Sequence, residues 1–132
     1  MESRNSIASI LAYPGLDTEA LETKTIKLNE TSFKSQKGVI GFIGAGNFTN
    51  MTVLPSLKGS DAHLKMIASS GGASGTQLAK KYGISQSTTD YKEILKDDDI
   101  DTVIITTRHG SHAKFVIESL NAGKNTFVEK PL

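Results

Sequence analysis

VIGFIGAGNFT, residues 39–49, reads as a buried strand running into a glycine turn and then a helix. Val39, Ile40, Phe42 and Ile43 supply the apolar run, interrupted only by the small Gly41. Gly44 and Gly46 stand in the spacing G-x-G, and Asn47, followed by Phe48, opens the helix. At such a turn the first glycine permits a tight bend, and the second lets the backbone come close to a pyrophosphate. The helix N-terminus adds unpaired N–H groups and the positive end of its dipole. Thr49 stands where the third glycine of G-x-G-x-x-G belongs, so the fingerprint is incomplete and, by itself, a weak signal. Its surroundings strengthen it.

Downstream, Phe48, Met51, Leu54 and Leu57 recur at helical spacing, and Pro55 predicts a kink or a restart near Leu54. Residues 64–69 predict a second strand and residues 70–75 a loop of small residues. Residues 76–82 follow as a helix, with Leu78, Ala79 and Tyr82 facing inward and Gly83 as its stop. Residues 87–89 predict a short third strand. Asp90 caps a short helix through Leu95, and the acidic residues 97–99 form a turn. The β-branched run TVIIT, residues 102–106, predicts a strand buried on both faces. His112, Phe115, Val116, Ser119 and Leu120 trace a helix face that Gly123 ends, and residues 126–128 begin a fifth strand. Strand–helix alternation with short loops predicts an α/β fold, a Rossmann-type doubly wound parallel sheet. The glycine turn then lies where a dinucleotide site requires it, between the first strand and the first helix.

A chain of 132 residues and 14.1 kDa accommodates one such domain, placed at residues 38–132. Residues 1–37 read as an N-terminal extension, or the remnant of a preceding domain plus a linker. They hold a small apolar cluster of Ile7, Ile10, Leu11 and Tyr13, a short extended piece at residues 25–28, and a polar linker at residues 34–37. With 15 Lys and Arg against 14 Asp and Glu, the chain lacks the basic excess of a nucleic-acid binder. No apolar run approaches the ~20 residues of a membrane span. The first fifteen residues are too polar for a signal peptide, so a cytoplasmic location is expected. There is no cysteine, and His63 and His109 lack metal-ligand spacing, so no metal is expected.

NAD-specific units carry an Asp or Glu about 20 residues beyond the glycines, where it holds the ribose 2′-OH. Here the second strand ends in Ser69-Ser70-Gly71, without a carboxylate. An acid would repel a 2′-phosphate, whereas hydroxyls and backbone N–H groups accept one. NADP, or use of both cofactors, is therefore favoured over NAD alone, although no arginine lies nearby. The plainer alternative is a flexible loop.

TTRHGSH at residues 106–112, AGKNTFVEKPL at residues 122–132 and the glycine turn together resemble the Gfo/Idh/MocA oxidoreductase family, over about three-quarters of the chain. The resemblance implies a nucleotide-binding domain followed by an α/β substrate domain, moving a hydride between a nicotinamide and a hydroxyl or carbonyl carbon of a sugar or polyol. Glu129-Lys130-Pro131 looks like the family's E-K-P signature. By that likeness Lys130 contacts substrate and nicotinamide and assists proton transfer, and Pro131 follows a cis bond. Thr106-Thr107-Arg108 stands where the family reads T-P-N or similar, beside the nicotinamide. Arg108 is then either a residue reaching a phosphate or an acidic substrate group, or an exposed loop arginine. His112 matches the family's loop-to-helix histidine, and as a lone histidine on an apolar face it also reads as a packed, hydrogen-bonded residue. The glycine turn, the serine stretch and the resemblance together assign cofactor contacts to Gly44, Gly46, Asn47, Phe48, Ser69, Ser70, Thr106, Thr107, Arg108, His112, Glu129, Lys130 and Pro131.

Because the family's substrate domain begins just after the E-K-P proline, the chain is expected to be a fragment, without turnover alone. The N-terminal ILAYPG, residues 10–15, is similar to the end of a zinc-type alcohol-dehydrogenase-like half that precedes such domains in two-part oxidoreductases. A homodimer through apolar surface near the fifth strand is a further expectation. The rival readings are a non-catalytic Rossmann module that binds or senses nucleotide, and a nucleotide-free scaffold in which Thr49 and the serine loop block the pyrophosphate. The E-K-P lysine argues against the sensing module, which has no use for it.

Overall fold

The computed structural model describes residues 24–29 and 38–131. The apolar cluster before Pro14, the ILAYPG likeness and the polar linker at residues 34–37 lie outside them. Six strands form one sheet in the order β1-β4-β3-β2-β5-β6. They are β1 (Thr25–Lys27), β2 (Val39–Ile43), β3 (His63–Ala68), β4 (Gln86–Thr88), β5 (Thr102–Ile105) and β6 (Asn125–Val128). The pairs β4–β3, β3–β2, β2–β5 and β5–β6 are parallel, and β1 joins β4 antiparallel at the edge. The extended piece expected near residue 25 is therefore a sixth strand, added to the five that the alternation predicts.

The strand of the glycine stretch lies inside the sheet, and all five of its residues are buried. Alternation with period two divides its side chains between two cores. Val39 and Ile43 pack with Met66, Val103 and Ile105 on one face, beneath Ile94 and Ile100. Ile40 and Phe42 pack with Ile67 and Ile104 on the other, against Leu54, Leu78 and Ala79. Gly41 has a packing reason: a Cβ there would collide with the Ile94 side chain. From β2 the chain steps outward to β3 and β4, then crosses back to β5 and β6. The order reverses between β2 and β5, and an open α/β sheet binds ligands outside the carboxyl ends of its strands at that point.

The first helix departs from the expected periodicity. A π-helical turn, Thr49–Val53, precedes α1, Leu54–Leu57. Leu54 N–H donates to the Thr49 carbonyl, five residues back, just before Pro55, which has no N–H to donate. The wider turn rotates the buried face onto Thr49 and Leu54, with Val53 and Leu57 half-buried, and turns Met51 outward, 74% exposed. A helix face counted at 3.6 residues per turn misplaces Met51 for that reason.

The next helix, α2 (Ala73–Tyr82), starts three residues before its expected position, within the small-residue stretch. Gly72 takes φ 72° at its N-cap, and Ser69 Oγ accepts from Gly75 N–H at 3.1 Å. Gly83 ends it in the left-handed region, as its sequence position implies. Helix α3 (Lys92–Lys96) is led by Asp90, whose carboxylate accepts from Lys92 N–H at 3.0 Å. A 3-10 turn, His109–Ser111, runs into α4, His112–Asn121. Its buried face holds His112 and Ser119 with Phe115 and Val116 half-buried, but Leu120 is 58% exposed. Leu120 sits about 80° around the helix from His112, at the margin of the stripe.

Candidate functional site

A cleft of about 650 Å³ opens at the carboxyl ends of β2, β3 and β5, where the strand order reverses. Gly44 and Gly46 form its floor, Ser69 and Ser70 one wall, and Thr106, Thr107 and Arg108 the other.

Each glycine of the turn answers a different demand. Gly44 adopts φ 115°, and a Cβ there would stand 2.7 Å from Thr106 Oγ1 and 2.9 Å from the Thr106 carbonyl carbon. Only glycine allows the turn to pass so close to the end of β5. At Gly46 a Cβ would meet no atom within 4 Å, so the space above it belongs to the cleft. The Asn50 N–H bond to the Gly46 carbonyl, 3.1 Å, begins the helix. The N–H groups before it have no acceptor within the helix and face a position where an anion would be favoured.

Thr49 does not block this floor. It is fully buried, its hydroxyl 2.6 Å from Thr106 Oγ1 and 3.2 Å from the Gly44 carbonyl, which it reaches as donor. The residue that spoils the fingerprint thus ties the glycine turn to β5 from beneath. Nor does the serine stretch fill the cleft, because its residues turn into the start of α2.

On the β3 side, Ser69 and Ser70 are joined by Ser74, and no carboxylate lines the cleft among the described residues. The Ser69 hydroxyl is engaged with Gly75 N–H, while Ser70 and Ser74 are exposed. Tyr91 and Phe115 complete the lining, their rings edge to face with centroids 4.7 Å apart. Burial first, then a hydrogen bond to Glu118, raises the Tyr91 hydroxyl above the usual tyrosine range. Sequence reading missed Tyr91 and Ser74 as site residues. Ser74 lies in the first turn of α2, which begins earlier than its expected position, and Tyr91 in the connection from β4 to α3; neither belongs to a motif.

On the β5 side, Arg108 is the one charged side chain lining the cleft among the described residues, and it is exposed. Its backbone is held: its carbonyl accepts from Ser111 N–H at 3.1 Å and Ser111 Oγ at 2.9 Å. Thr107 Oγ1 lies 2.8 Å from the same Ser111 hydroxyl. His112 does not line the cleft. It is 1% exposed behind this loop, with Nε2 2.7 Å from the Thr107 carbonyl and Nδ1 2.7 Å from the Pro131 carbonyl.

The remaining expected residues do not line the cleft. Asn47 is exposed at the helix start, and Phe48 is half-buried there. Glu129 N–H donates to the Ile105 carbonyl at 3.1 Å, which carries the chain from β6 along the same edge. Lys130 is exposed, and the Lys130–Pro131 peptide is cis, as the resemblance implies. Among the described residues no cluster of His, Asp or Glu has the makings of a metal site, and no helix is long and apolar enough to cross a membrane.

A bare glycine floor, free N–H groups, hydroxyl-rich and aromatic walls and a lone arginine fit a dinucleotide laid across the switch point. Comparisons with known proteins agree. The model of the Gfo/Idh/MocA family, described as an oxidoreductase family with an NAD-binding Rossmann fold, matches residues 39–132. The 1,5-anhydro-D-fructose reductase of Ensifer adhaerens is 28% identical over 92 residues, covering 70% of this chain and 28% of that protein. The 4-carboxy-2-hydroxymuconate-6-semialdehyde dehydrogenase of Sphingobium sp. (strain NBRC 103272 / SYK-6) is 39% identical over 94 residues, 70% of this chain and 30% of that protein. Among solved structures, KijD10, a 3-ketoreductase from Actinomadura kijaniata in complex with NADP and TDP-benzene, superposes with a TM-score of 0.67 at 27% identity. That match covers 71% of this chain and 29% of KijD10. The chain spans less than a third of the length of these relatives.

Proposed function

The chain belongs to the Gfo/Idh/MocA oxidoreductase family, and from that premise we propose that it is the domain presenting a nicotinamide dinucleotide for hydride exchange with a hydroxyl or carbonyl carbon. The observation that carries the reading is the cleft at the β2–β5 switch point, with open space above Gly46 and no carboxylate in its lining. The pyrophosphate would lie over Gly44 and Gly46, against the N–H groups of the helix start. The adenosine ribose would lie towards Ser69, Ser70 and Ser74, and the nicotinamide towards Thr106 and Thr107.

Absence of an acid beside the serines supports NADP over NAD, because a 2′-phosphate there meets hydroxyls rather than a repelling charge. NADP in KijD10 supports the same preference. When bound, the nicotinamide supplies or accepts the hydride. Lys130 would exchange a proton at its Nζ with the substrate oxygen and stabilise negative charge developing there. The anhydrofructose reductase supports a sugar- or polyol-type substrate. The carboxylated semialdehyde of the Sphingobium relative draws attention to Arg108, which would pair with an acidic group if the substrate carries one. Since the chain matches less than a third of its relatives, the reading assigns to these residues cofactor binding and the proton-transfer lysine.

Calorimetric titration with NADPH and with NADH tests this directly. Saturable binding, tighter for NADPH, is expected. No heat from either at millimolar concentration would overturn it.

A further inference from the structure

We propose that His112 is a positioning residue that couples the nicotinamide-side wall of the cleft to the segment carrying Lys130. The inference rests on the cofactor reading above. Its basis is the bridge: one ring, 1% exposed, reaches the Thr107 carbonyl through Nε2 and the Pro131 carbonyl through Nδ1, each at 2.7 Å. These carbonyls are 24 positions apart in sequence and belong to different segments, the loop after β5 and the run after β6. Thr107 lines the cleft, and Pro131 is bonded to Lys130.

The β5–β6 pairing stops at Ile105 and Val128, and the Glu129 N–H bond to Ile105 is the next link between the segments. Beyond that point the imidazole reaches both segments. A carbonyl oxygen only accepts, so each contact calls for an N–H on the ring. A neutral imidazole supplies one and an imidazolium supplies both. In either form the ring sits where displacement of one segment strains its contact with the other. Such a support fixes a loop whose function depends on a few tenths of an ångström. Packing alone does not require it, since an apolar ring would fill the same volume without touching either carbonyl's lone pairs.

The serine side of the cleft does not use this bridge. Adenosine 2′,5′-bisphosphate, which lacks the nicotinamide half, therefore serves as an internal control. In His112→Phe and in His112→Asn, the Kd for NADPH should rise about tenfold while that for the bisphosphate changes less than about twofold. Equal weakening of both ligands would mark a merely structural residue and overturn the proposal, as would no change in either. If both variants fail to fold, the unmodified protein still decides it. NADPH should shift the His112 ring signals in an imidazole ¹H–¹⁵N spectrum, and the bisphosphate should leave them in place. Ring signals that move equally with both ligands, or with neither, overturn the coupling. Failure of the unmodified chain to bind either ligand would instead refute the cofactor reading on which the coupling rests.

Discussion

Gly44 and Gly46 fail in different ways when a side chain is added. At Gly44 the φ of 115° and the approach of Thr106 make any Cβ a backbone problem. Gly44→Ala is expected to destabilise the fold by about 2 kcal/mol or more, lowering Tm by roughly 5–10 °C in a calorimetric scan. Gly46 has open space above it, and a side chain there meets only what enters the cleft. Gly46→Val should leave Tm within a few degrees of the parent and raise the NADPH Kd by about tenfold or more. A parallel loss of stability and binding in both variants would mean that the turn is architecture only. The wall opposite gives a second residue-scale prediction. Ser70→Asp places a carboxylate where the reading puts the 2′-phosphate, and like charges there should shift the NADPH:NADH Kd ratio by about tenfold towards NADH. An unchanged ratio would move the 2′-position away from Ser70. Both glycines and the missing acid were legible in the sequence, because G-x-G and its spacing to the second strand are local. Thr49 was legible only as a defect. Its hydroxyl reaches Thr106, 57 positions away, which no local pattern encodes.

Elements in this fold are joined by side chains whose partners lie far off in sequence. Lys65 sits in a strand that reads as apolar, yet it is buried with its Nζ 2.7 Å from Asp97 and from Asp99, the pair that reads only as an acidic turn. Asp101 does similar work at the start of β2. Its carboxylate accepts from Gly38 N–H at 2.6 Å and from Val39 N–H at 3.2 Å, pinning the glycine strand to β5. Burial alone would raise the Asp101 carboxyl, but bonds from Thr102, Gly38 and Val39, with the nearby Lys124 charge, hold it below the ordinary 3.8. A carboxyl depressed by folding contributes stability that is fully present above its unfolded value and is lost as pH falls through the folded one. Acid unfolding should therefore steepen below pH 3.8, and Asp101→Asn should lower stability at neutral pH while flattening that acid limb. A denaturant series at neutral and at acid pH checks it. Equal destabilisation at both would mean that Asp101 acts through shape rather than charge. Helix faces were largely legible where the 3.6-residue period held; they failed at Met51, where the π turn before Pro55 changes the period, and at Leu120, on the margin of its stripe, and the start of α2 fell three residues early.

At the scale of the whole molecule, the sheet order makes one ligand answerable to both halves of the domain. The β2–β3–β4 half supplies the glycine floor and the serines, and the β5–β6 half supplies Thr106, Thr107 and Arg108. Alternating strands and helices made that doubly wound arrangement readable. Residues 25–28 were readable as extended and apolar surface was expected near the outer strand β6, where Phe127 is half-exposed, but the antiparallel pairing of β1 with β4 was not readable, since an edge is defined by what lies beside it. A dinucleotide spanning the switch point binds only when both halves are in place, so it should stabilise the folded state by linkage, about 2.7 kcal/mol at a hundredfold excess over Kd. NADPH at that excess should raise Tm by roughly 5–10 °C, and NADH at the same concentration by less. Adenosine 2′,5′-bisphosphate engages one half, so at equal fractional saturation it should give the same linkage energy but leave the loop after β5 unprotected from amide exchange. NADPH should protect both that loop and the glycine turn. Protection confined to the serine side with NADPH bound would place the nicotinamide outside the cleft and break the connection between this sheet order and hydride chemistry.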